Sequence, residues 1–192
     1  MDNLNKKFED LFGKISNKRF LNKESLGGEI PFFISPYNAT QEVQVRKEIS
    51  LLKSKLNNNG INVLELNLFE ISCDLLDQNG GLERMFMVER MKGSQRFLRA
   101  LQSTLNIHEV LMPRIKEIID SSNSEVYFLT GIGLVFPFIR SHNILNNLQS
   151  VAKDSPTVAF FPGDYNGHTL NLFGLLKDDN YYRAYNLDNI KL

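Results

Sequence analysis

The sequence predicts an α/β fold: a three-layer, open and mainly parallel sheet with flanking helices and antiparallel strands at its C-terminal end. Short apolar runs bounded by turn residues recur along the chain, which is typical of buried parallel strands. Between them lie segments with apolar residues at every third or fourth position, the spacing of an amphipathic helix. Beyond residue 157 the helical spacing stops and short strand-like runs follow one another. Such an order of elements favours a degenerate nucleotidase-like or Rossmann-like sheet.

The chain has 192 residues, of which 42% are hydrophobic. A single domain commonly holds roughly 100–200 residues, so we expect one domain over residues 1–192. Residues 4–20 carry one apolar helix stripe, and the polar segment 21–29 separates it from the rest. This leaves open whether the N-terminal helix, within residues 1–21, docks separately onto the body.

The first half of the chain predicts strand, helix, strand. Residues 30–35 form an apolar run that Pro36 ends. Thr40 is the predicted N-cap of the helix that follows, and Gly60 is its predicted C-terminal stop. Residues 61–66 form a second apolar run, and a helical crossover of this length implies parallel strands. The apolar positions of the helix are Val45, Ile49, Leu52 and Leu56.

The middle of the chain is predicted to be largely helical. Residues 68–77 predict a short helix, and residues 82–120 predict two longer ones, the first interrupted by Gly93. Residues 125–133 predict a strand that ends in glycines. A helix over residues 136–151 follows, with Pro137 near its start.

The C-terminal part predicts strands joined by turns. Residues 157–163 form one apolar run and residues 169–176 another. Residues 177–180, with the sequence KDDN, predict the turn into a last strand over residues 181–187. The last two strands have the pattern of an antiparallel hairpin or an edge extension.

Charge and cysteine usage exclude several classes of protein. The chain has 22 Lys and Arg against 22 Asp and Glu. Nucleic-acid binders usually carry a basic excess, so we expect nucleic acid to be contacted only weakly or indirectly. Cys73 is the single cysteine, which rules out an intramolecular disulfide and fits a reducing compartment. The sequence contains no signal-peptide pattern and no long apolar run, so we expect a cytoplasmic protein that does not contact membranes.

A glycine-containing turn after the third predicted strand is the best candidate for a ligand site. Thr130, Gly131 and Gly133 lie where doubly wound folds bind phosphates. A dinucleotide fingerprint needs a third glycine where this chain has Phe136, and the lysine of a P-loop is absent. A tight strand-to-helix turn is therefore favoured over a phosphate cradle.

No complete catalytic set or metal-ligand set is visible in the sequence. Three histidines, His108, His142 and His168, lack metal-ligand spacing. Asp164 follows a strand at an edge where sites collect, but it lacks an evident partner. We therefore expect no enzyme activity, no metal and no cofactor.

Two segments have the composition of binding surfaces. Residues 181–185 combine tyrosine and arginine, which are residue types of interface hot spots. If this segment is a strand, Tyr181, Arg183 and Tyr185 share one face and Tyr182 the other. A helical stretch rich in basic residues is a candidate nucleic-acid patch, although a solvated helix face is the favoured interpretation. Its basic residues are Arg84, Arg90, Lys92, Arg96 and Arg99.

Three strings of the chain resemble the BrxB family of bacteriophage-exclusion (BREX) defence systems. They are FLTGIGLVFPFIRSHNILNNL, PTVAFFPGDYNGHTLNLFGLLKDDNYYRAYNL and, earlier, PFFISPYNATQEVQVRKEISLLKSKLNNNGINVLELNLFEI. The similarity extends over nearly the whole chain, from about residue 4 onward. The resemblance implies a small accessory subunit of a bacterial phage-resistance apparatus that also contains a methyltransferase, a large ATPase and the alkaline-phosphatase-like protein PglZ.

The family carries no agreed active-site residues, so the resemblance transfers none. It implies a non-catalytic adaptor that binds other BREX proteins, PglZ before the rest. The alternative is a degenerate nucleotide-binding or nucleic-acid-contacting domain within the same complex. The candidate partner-binding or ligand-binding residues are Thr130, Gly131, Gly133, Arg140, His142, Asp164, Tyr181, Tyr182 and Arg183.

Overall fold

The computed structural model describes residues 2–24, 32–78, 80–178 and 180–190. The helices in these ranges are α1 (Asp2–Ile15), α2 (Lys18–Leu21), α3 (Glu42–Asn58), α4 (Leu68–Gln78), α5 (Leu82–Thr104), α6 (Met112–Asp120) and α7 (Ser141–Val151). The strands are β1 (Phe32–Tyr37), β2 (Val63–Asn67), β3 (Val126–Thr130), β4 (Thr157–Tyr165), β5 (Leu170–Leu172), β6 (Leu176–Asp178) and β7 (Tyr185–Asn186).

The strands form one mainly parallel sheet, which confirms the predicted fold class. Its order is β2-β3-β4-β1-β7, and all neighbours along this path are parallel. Antiparallel β5 and β6 extend the end of β4. The predicted strand–helix–strand unit at the start gives parallel strands, but β3 and β4 lie between β1 and β2. This order differs from the 3-2-1-4-5-6 order of dinucleotide-binding folds.

Helices cover both faces of the sheet and bury two apolar clusters. On one face, α1 and α3 pack over the strands, and the predicted stripe of α3 is buried. On the other face, α4, α5, α6 and α7 enclose the larger cluster. Each strand residue points to one face or the other, so the central strands are apolar on both sides.

The N-terminal helix packs against the body through its apolar stripe. Leu11 and Ile15 are fully buried, and the ring of Phe8 stacks on Phe160 of β4 with centroids 6.1 Å apart. Two lysines of α1 also reach the C-terminal end of the chain. Lys7 Nζ lies 2.7 Å from Asp188 Oδ2, and Lys14 Nζ donates to the Leu187 carbonyl at 2.8 Å. Residues 25–31, which include the predicted glycine loop, lie outside the described residues.

The start of α3 differs from its prediction. Thr40 is not the N-cap, because a 3-10 turn over Ala39–Gln41 precedes the helix and Asn38 caps that turn. The strand before it also continues past Pro36 to Tyr37. Pro36 is tolerated there because β7 pairs only with residues 33 and 34, so β1 is an edge strand at that point. The end of α3 is as predicted, with Gly60 at φ +80°.

Pro137 does not lie at the start of a helix. Residues 132–138 form turns, and α7 begins only at Ser141. The prediction was wrong for residues 136–140, where Phe136 and Ile139 pack against the larger cluster from a series of turns. Their spacing of three residues imitates a helical stripe.

The C-terminal strands also depart from the prediction. Phe173 and Gly174 have φ of +59° and +71°, so the chain turns there and divides the expected strand into β5 and β6. The hairpin turn is therefore at residues 173–175, and the first two residues of the KDDN segment belong to β6. The predicted strand over residues 181–187 is reduced to β7, which pairs in parallel with β1 at the end of the sheet. Of the two predicted alternatives, the edge extension is therefore found and the antiparallel hairpin is not.

Candidate partner-binding surface

The carboxyl ends of β2 and β3 open into a cleft of about 440 Å³ beneath the first turns of α3. The cleft lies where α/β proteins commonly place their sites. It contains Thr130 and Gly131, two of the sequence-predicted candidates. Charges of both signs line it, with Arg46 and Lys47 from α3 and Glu65 from β2 among them.

Thr130 serves the structure of this cleft. Its hydroxyl is almost completely buried and donates to Glu65 Oε1 at 2.9 Å. The other oxygen of Glu65 lies 3.4 Å from Nζ of Lys53. This network satisfies the carboxylate on both sides, so Thr130 fixes the end of β3 against β2.

The two glycines allow close approach of neighbouring segments. A Cβ on Gly131, which has φ +73°, would lie 2.7 Å from Asn67 Oδ1. That oxygen already accepts from the backbone N–H groups of Phe69 and Glu70, at 3.1 and 3.3 Å, and so caps α4. A Cβ on Gly133 would lie 2.9 Å from atoms of Phe173 and of Pro162. Glycine is therefore required at both positions by the close approach of neighbouring protein atoms.

Exposed apolar side chains surround the cleft. Val43 is 79% exposed, and Leu134 and Phe69 are exposed as well. Val43 and Leu134 both line the cleft, and Phe69 lies next to it, since a Cβ on Gly131 would come within 3.2 Å of the Phe69 nitrogen. We call these three residues, with Arg46 and Lys47, the carboxyl-edge surface. Apolar side chains in a charged surround are the usual make-up of a protein–protein contact.

Asp164 lies in a second cleft, of about 380 Å³, at the carboxyl ends of β1 and β4. Its side chain is exposed and lies 3.5 Å from the amide nitrogen of Asn171. Across the cleft, Tyr37 donates to Glu42 Oε2 at 2.6 Å. Burial, and then this hydrogen bond, raise the pKa of Tyr37 far above its ordinary value. Among the described residues, no three acidic, histidine or cysteine side chains lie close enough to hold a metal ion.

Two further candidates, His142 and Tyr182, meet at Asp178. His142 Nδ1 lies 3.3 Å from Asp178 Oδ2, and the Tyr182 hydroxyl donates to the same oxygen at 2.5 Å. The backbone N–H of Asn180 donates to Asp178 Oδ1 at 3.0 Å. The carboxylate thus joins the start of α7, the end of β6 and the C-terminal segment. It is a structural junction, since the ring of Tyr182 is buried in the core.

The junction makes the stability of the fold depend on pH. Burial opposes ionisation of Asp178, but hydrogen bonds from Tyr182 and Asn180, with His142 nearby, outweigh burial and hold its pKa below the ordinary 3.8. The ionised carboxylate therefore stabilises the fold above about pH 4, and this contribution is lost as pH falls through the lowered pKa. We expect Asp178→Asn to lower the free energy of unfolding at pH 7, and the difference from wild type to shrink towards pH 3.

Urea denaturation of the wild type and of Asp178→Asn between pH 3 and pH 7 measures this difference in the free energy of unfolding. Asp164→Asn is the matched control, because Asp164 is exposed and the hydrogen bond that its carboxylate accepts from Asn171 is long, at 3.5 Å. A difference for Asp178→Asn that stays constant with pH would contradict the role of its charge.

The other candidates do not join this junction. Arg140 is exposed just before α7, and Arg183 is exposed while its carbonyl accepts from Gln149 at 2.9 Å. Tyr181 is 63% exposed and stacks on His168 with ring centroids 5.7 Å apart. The basic residues of the candidate nucleic-acid patch are all exposed along α5: Arg84, Arg90, Lys92, Arg96 and Arg99.

Sequence reasoning missed several residues that shape these places. Glu65 and Lys53 look like solvent-facing charges in the sequence, and only the sheet order brings Glu65 beside Thr130. Asp178 belongs to an acidic pair typical of a turn, so its central position was not visible; Asp179 lies outside the described residues. The sequence contains one sign of the carboxyl-edge surface, because Val43 is an apolar residue of α3 that does not belong to the predicted buried stripe. We did not use this sign to predict a site.

The fold and the carboxyl edge of the sheet define a small α/β protein with a mainly parallel sheet and exposed apolar side chains beside a charged cleft. Residues 64–187 match the family described as BREX protein BrxB. A BREX protein BrxB of Bacillus cereus (strain H3081.97) is 37% identical over 191 residues, covering 97% of this chain and 98% of the relative. The BREX protein BrxB of Escherichia coli O9:H4 (strain HS) is 32% identical over 174 residues, or 91% and 86% of the two chains.

The chain belongs to the BrxB family and is thus a component of a bacterial BREX phage-defence system. No solved structure matches it. In the part of the chain that the structure describes, no helix has the length and apolar character needed to cross a membrane.

Proposed function

We propose that this BREX component is a non-catalytic, cytoplasmic adaptor that binds other proteins of the system, and the PglZ-type protein first. The carboxyl-edge surface carries the proposal. It exposes Val43, Phe69 and Leu134 around a charged cleft, at the edge of the sheet where sites of α/β proteins collect. Exposed apolar side chains with charged neighbours gain free energy when another protein covers them.

The bonding of the polar candidates supports binding over catalysis. A general base or nucleophile must be able to reach a substrate atom. The Thr130 hydroxyl is buried against Glu65, and the Asp178 carboxylate accepts bonds from Tyr182 and Asn180. These groups hold elements of the fold together, which leaves association as the activity that the surface supports best.

Substitution within the carboxyl-edge surface tests the proposal. We expect Val43→Asp and Leu134→Asp each to weaken binding to the purified PglZ-type protein by at least about tenfold, as loss of an interface hot spot does. Phage resistance of cells that carry the complete operon should fall in parallel. Binding is measured by interferometry and resistance by plaquing efficiency.

Leu51→Asp is the matched control. Leu51 lies on the same helix as Val43 and is 54% exposed, but it does not line the cleft. The control should bind like wild type, and all three variants should keep the wild-type melting temperature. Wild-type binding by both Val43→Asp and Leu134→Asp would count against this surface. Turnover of a nucleotide or ester by the purified chain, abolished by changing one polar residue, would refute a non-catalytic role.

A further inference from the structure

The cleft that contains Asp164 lies where the chain leaves two neighbouring strands towards opposite faces of the sheet. After β1 the chain continues into α3, which packs on the face of the smaller apolar cluster. After β4 it continues into β5, whose Leu170 and Leu172 are buried in the larger cluster on the other face. A crevice at such a switch point, outside the carboxyl ends of the strands, is the usual ligand site of open α/β sheets. We call it the switch-point cleft.

The switch-point cleft carries a negative charge. Asp164 is the charged residue in its lining, and the other described residues of the lining are uncharged. The salt bridges found among the described residues do not include Asp164, and its carboxylate accepts only the long hydrogen bond from Asn171. In the strand register Asn171 lies between Asp164 and Lys177, and this lysine does not line the cleft. A cation that enters the cleft therefore meets an exposed carboxylate that has no cationic partner among the described residues.

Two aromatic residues and a second carboxylate accompany Asp164. Tyr37 and Phe173 both line the cleft, and Tyr37 donates to Glu42 Oε2 at 2.6 Å, which places the Glu42 carboxylate at its margin. Arg46, one turn further along α3, lines the other cleft. A carboxylate near aromatic rings suits a guanidinium, which pairs with carboxylate oxygens through its planar fork and stacks on aromatic faces. An ammonium group is more strongly hydrated and lacks this fork, so arginine fits the cleft better than lysine.

The rim of the cleft favours a protein as the source of the guanidinium. Leu175 directly follows Gly174 of the lining and is 83% exposed, and Leu176 is 42% exposed. A free small cation would fill the cleft and leave both leucines in water. A protein that inserts one arginine can also cover the leucines, and burial of this apolar area stabilises the contact. Arginine is, in addition, one of the residue types enriched at interface hot spots.

We propose that the switch-point cleft binds an arginine side chain of another protein of the BREX system. The guanidinium pairs with the Asp164 carboxylate, and apolar residues beside that arginine cover Leu175 and Leu176. This inference rests on the proposed adaptor function but uses a different surface, since the two clefts share no lining residue among those described. An adaptor joins two proteins and so needs a second contact, which the switch-point cleft provides.

Titration of the purified chain with N-acetyl-arginine amide tests the chemistry of the cleft. Nitrogen–proton correlation NMR spectra should show saturable shifts that centre on the backbone amides of Gly163, Asp164 and Gly174. N-acetyl-citrulline amide has nearly the same shape without the charge and should cause no such shifts. Asp164→Asn should weaken binding of the arginine compound at least about fivefold, because the charge-assisted hydrogen bonds are lost. Asp74→Asn is the matched control, since it removes an exposed aspartate of α4 away from the cleft, and it should bind like wild type.

Site-specific photo-crosslinking identifies the source of the arginine. The full chain carries p-benzoylphenylalanine at Leu175 in cells with the complete BREX operon, and a parallel strain carries it at Val43, in the carboxyl-edge surface. We expect the Leu175 adduct to contain a peptide of another protein of the operon, with an arginine and neighbouring apolar residues. Asp164→Asn should reduce the yield of this adduct at least about fivefold, and Asp74→Asn should leave it unchanged. Both aspartates are exposed, so melting temperatures should stay within about 2 °C of wild type.

The outcomes separate the two proposals. An adduct at Val43 without one at Leu175 overturns this inference alone, even if the arginine compound binds, because the cleft then takes a free cation. Absence of both adducts also overturns the proposed function. A Leu175 adduct with a second copy of this chain or with nucleic acid overturns the proposed partner. Equal shifts with the arginine and citrulline compounds, no saturable shifts, or a yield that Asp164→Asn leaves unchanged overturn the pairing of arginine with Asp164.

Discussion

Replacing Gly163 by alanine is expected to destabilise the protein by at least about 3 kcal/mol, a large share of the roughly 5–15 kcal/mol that stabilises a native domain. Gly163 lies opposite Leu172, where β4 leaves the parallel sheet and pairs with β5. A Cβ at this position would lie 2.1 Å from the Asn171 carbonyl oxygen and 2.9 Å from the Phe173 nitrogen. Both are backbone atoms, and moving them would break the hydrogen bond that the Phe173 N–H donates to Pro162 at 2.7 Å. Soluble yield and the urea midpoint measure the effect.

Gly167→Ala separates this contact from the effect of backbone angle. Gly167 has φ +93°, and a Cβ there would meet nothing within 4 Å. Its substitution should cost only the strain of an unfavourable φ, about 1–2 kcal/mol. If both alanine variants lose the same stability, steric exclusion at the β4–β5 junction is not the reason for glycine at position 163.

Tyr182→Ala is expected to cost about 3–5 kcal/mol, the range for deleting a large buried aromatic side chain. The ring is 1% exposed and belongs to the larger core cluster, and its hydroxyl bonds to Asp178. The substitution leaves a cavity and also removes a donor from a partly buried carboxylate. Thermal and urea unfolding, followed by circular dichroism, measure the loss.

The adjacent Tyr181 is the control for this substitution. Tyr181→Ala should change the free energy of unfolding by less than about 0.5 kcal/mol, because its ring is mostly exposed. Tyr182→Phe keeps the packing and removes only the bond to the carboxylate, at a cost of about 1.5–3 kcal/mol. Equal destabilisation by Tyr181→Ala and Tyr182→Ala would contradict the burial of Tyr182.

The spacing of apolar residues predicted most helices and strands well, because burial of one face makes apolar residues recur at the period of the helix or strand. The buried stripe of α3, Val45, Ile49, Leu52 and Leu56, is the one predicted. Pattern misled where turns bury residues at helical spacing, as with Phe136 and Ile139 before α7. Alternation in the tyrosine segment correctly separated Tyr181 from Tyr182 although no strand forms there. Exposure alternates because the ring of Tyr182 is buried in the core, while the side chain of the adjacent Tyr181 points to solvent.

The candidate site was less predictable than the elements, because the sequence of a strand does not determine the order of the strands in the sheet. An apolar run shows that a strand is buried but not which strand lies beside it. Thr130 and Glu65 are 65 residues apart and meet only because β3 pairs with β2. Exposure of Val43 and Leu134 likewise depends on how α3 and the turn after β3 sit on the sheet. Positions at the ends of predicted strands, such as Thr130, Gly131 and Asp164, could be found because strand ends share an edge.

The pairing of β1 has a consequence for synthesis of the protein. β1 pairs with β4 and β7, both of which come from residue 157 onward. The first strand to leave the ribosome therefore waits for the last fifth of the chain before it gains a hydrogen-bonded neighbour. Until then its apolar residues must be shielded from water by other segments, such as the helices that precede and follow β1 in the chain. Pairings so distant in sequence slow folding, and a truncated transcript would yield a sheet without its middle strand.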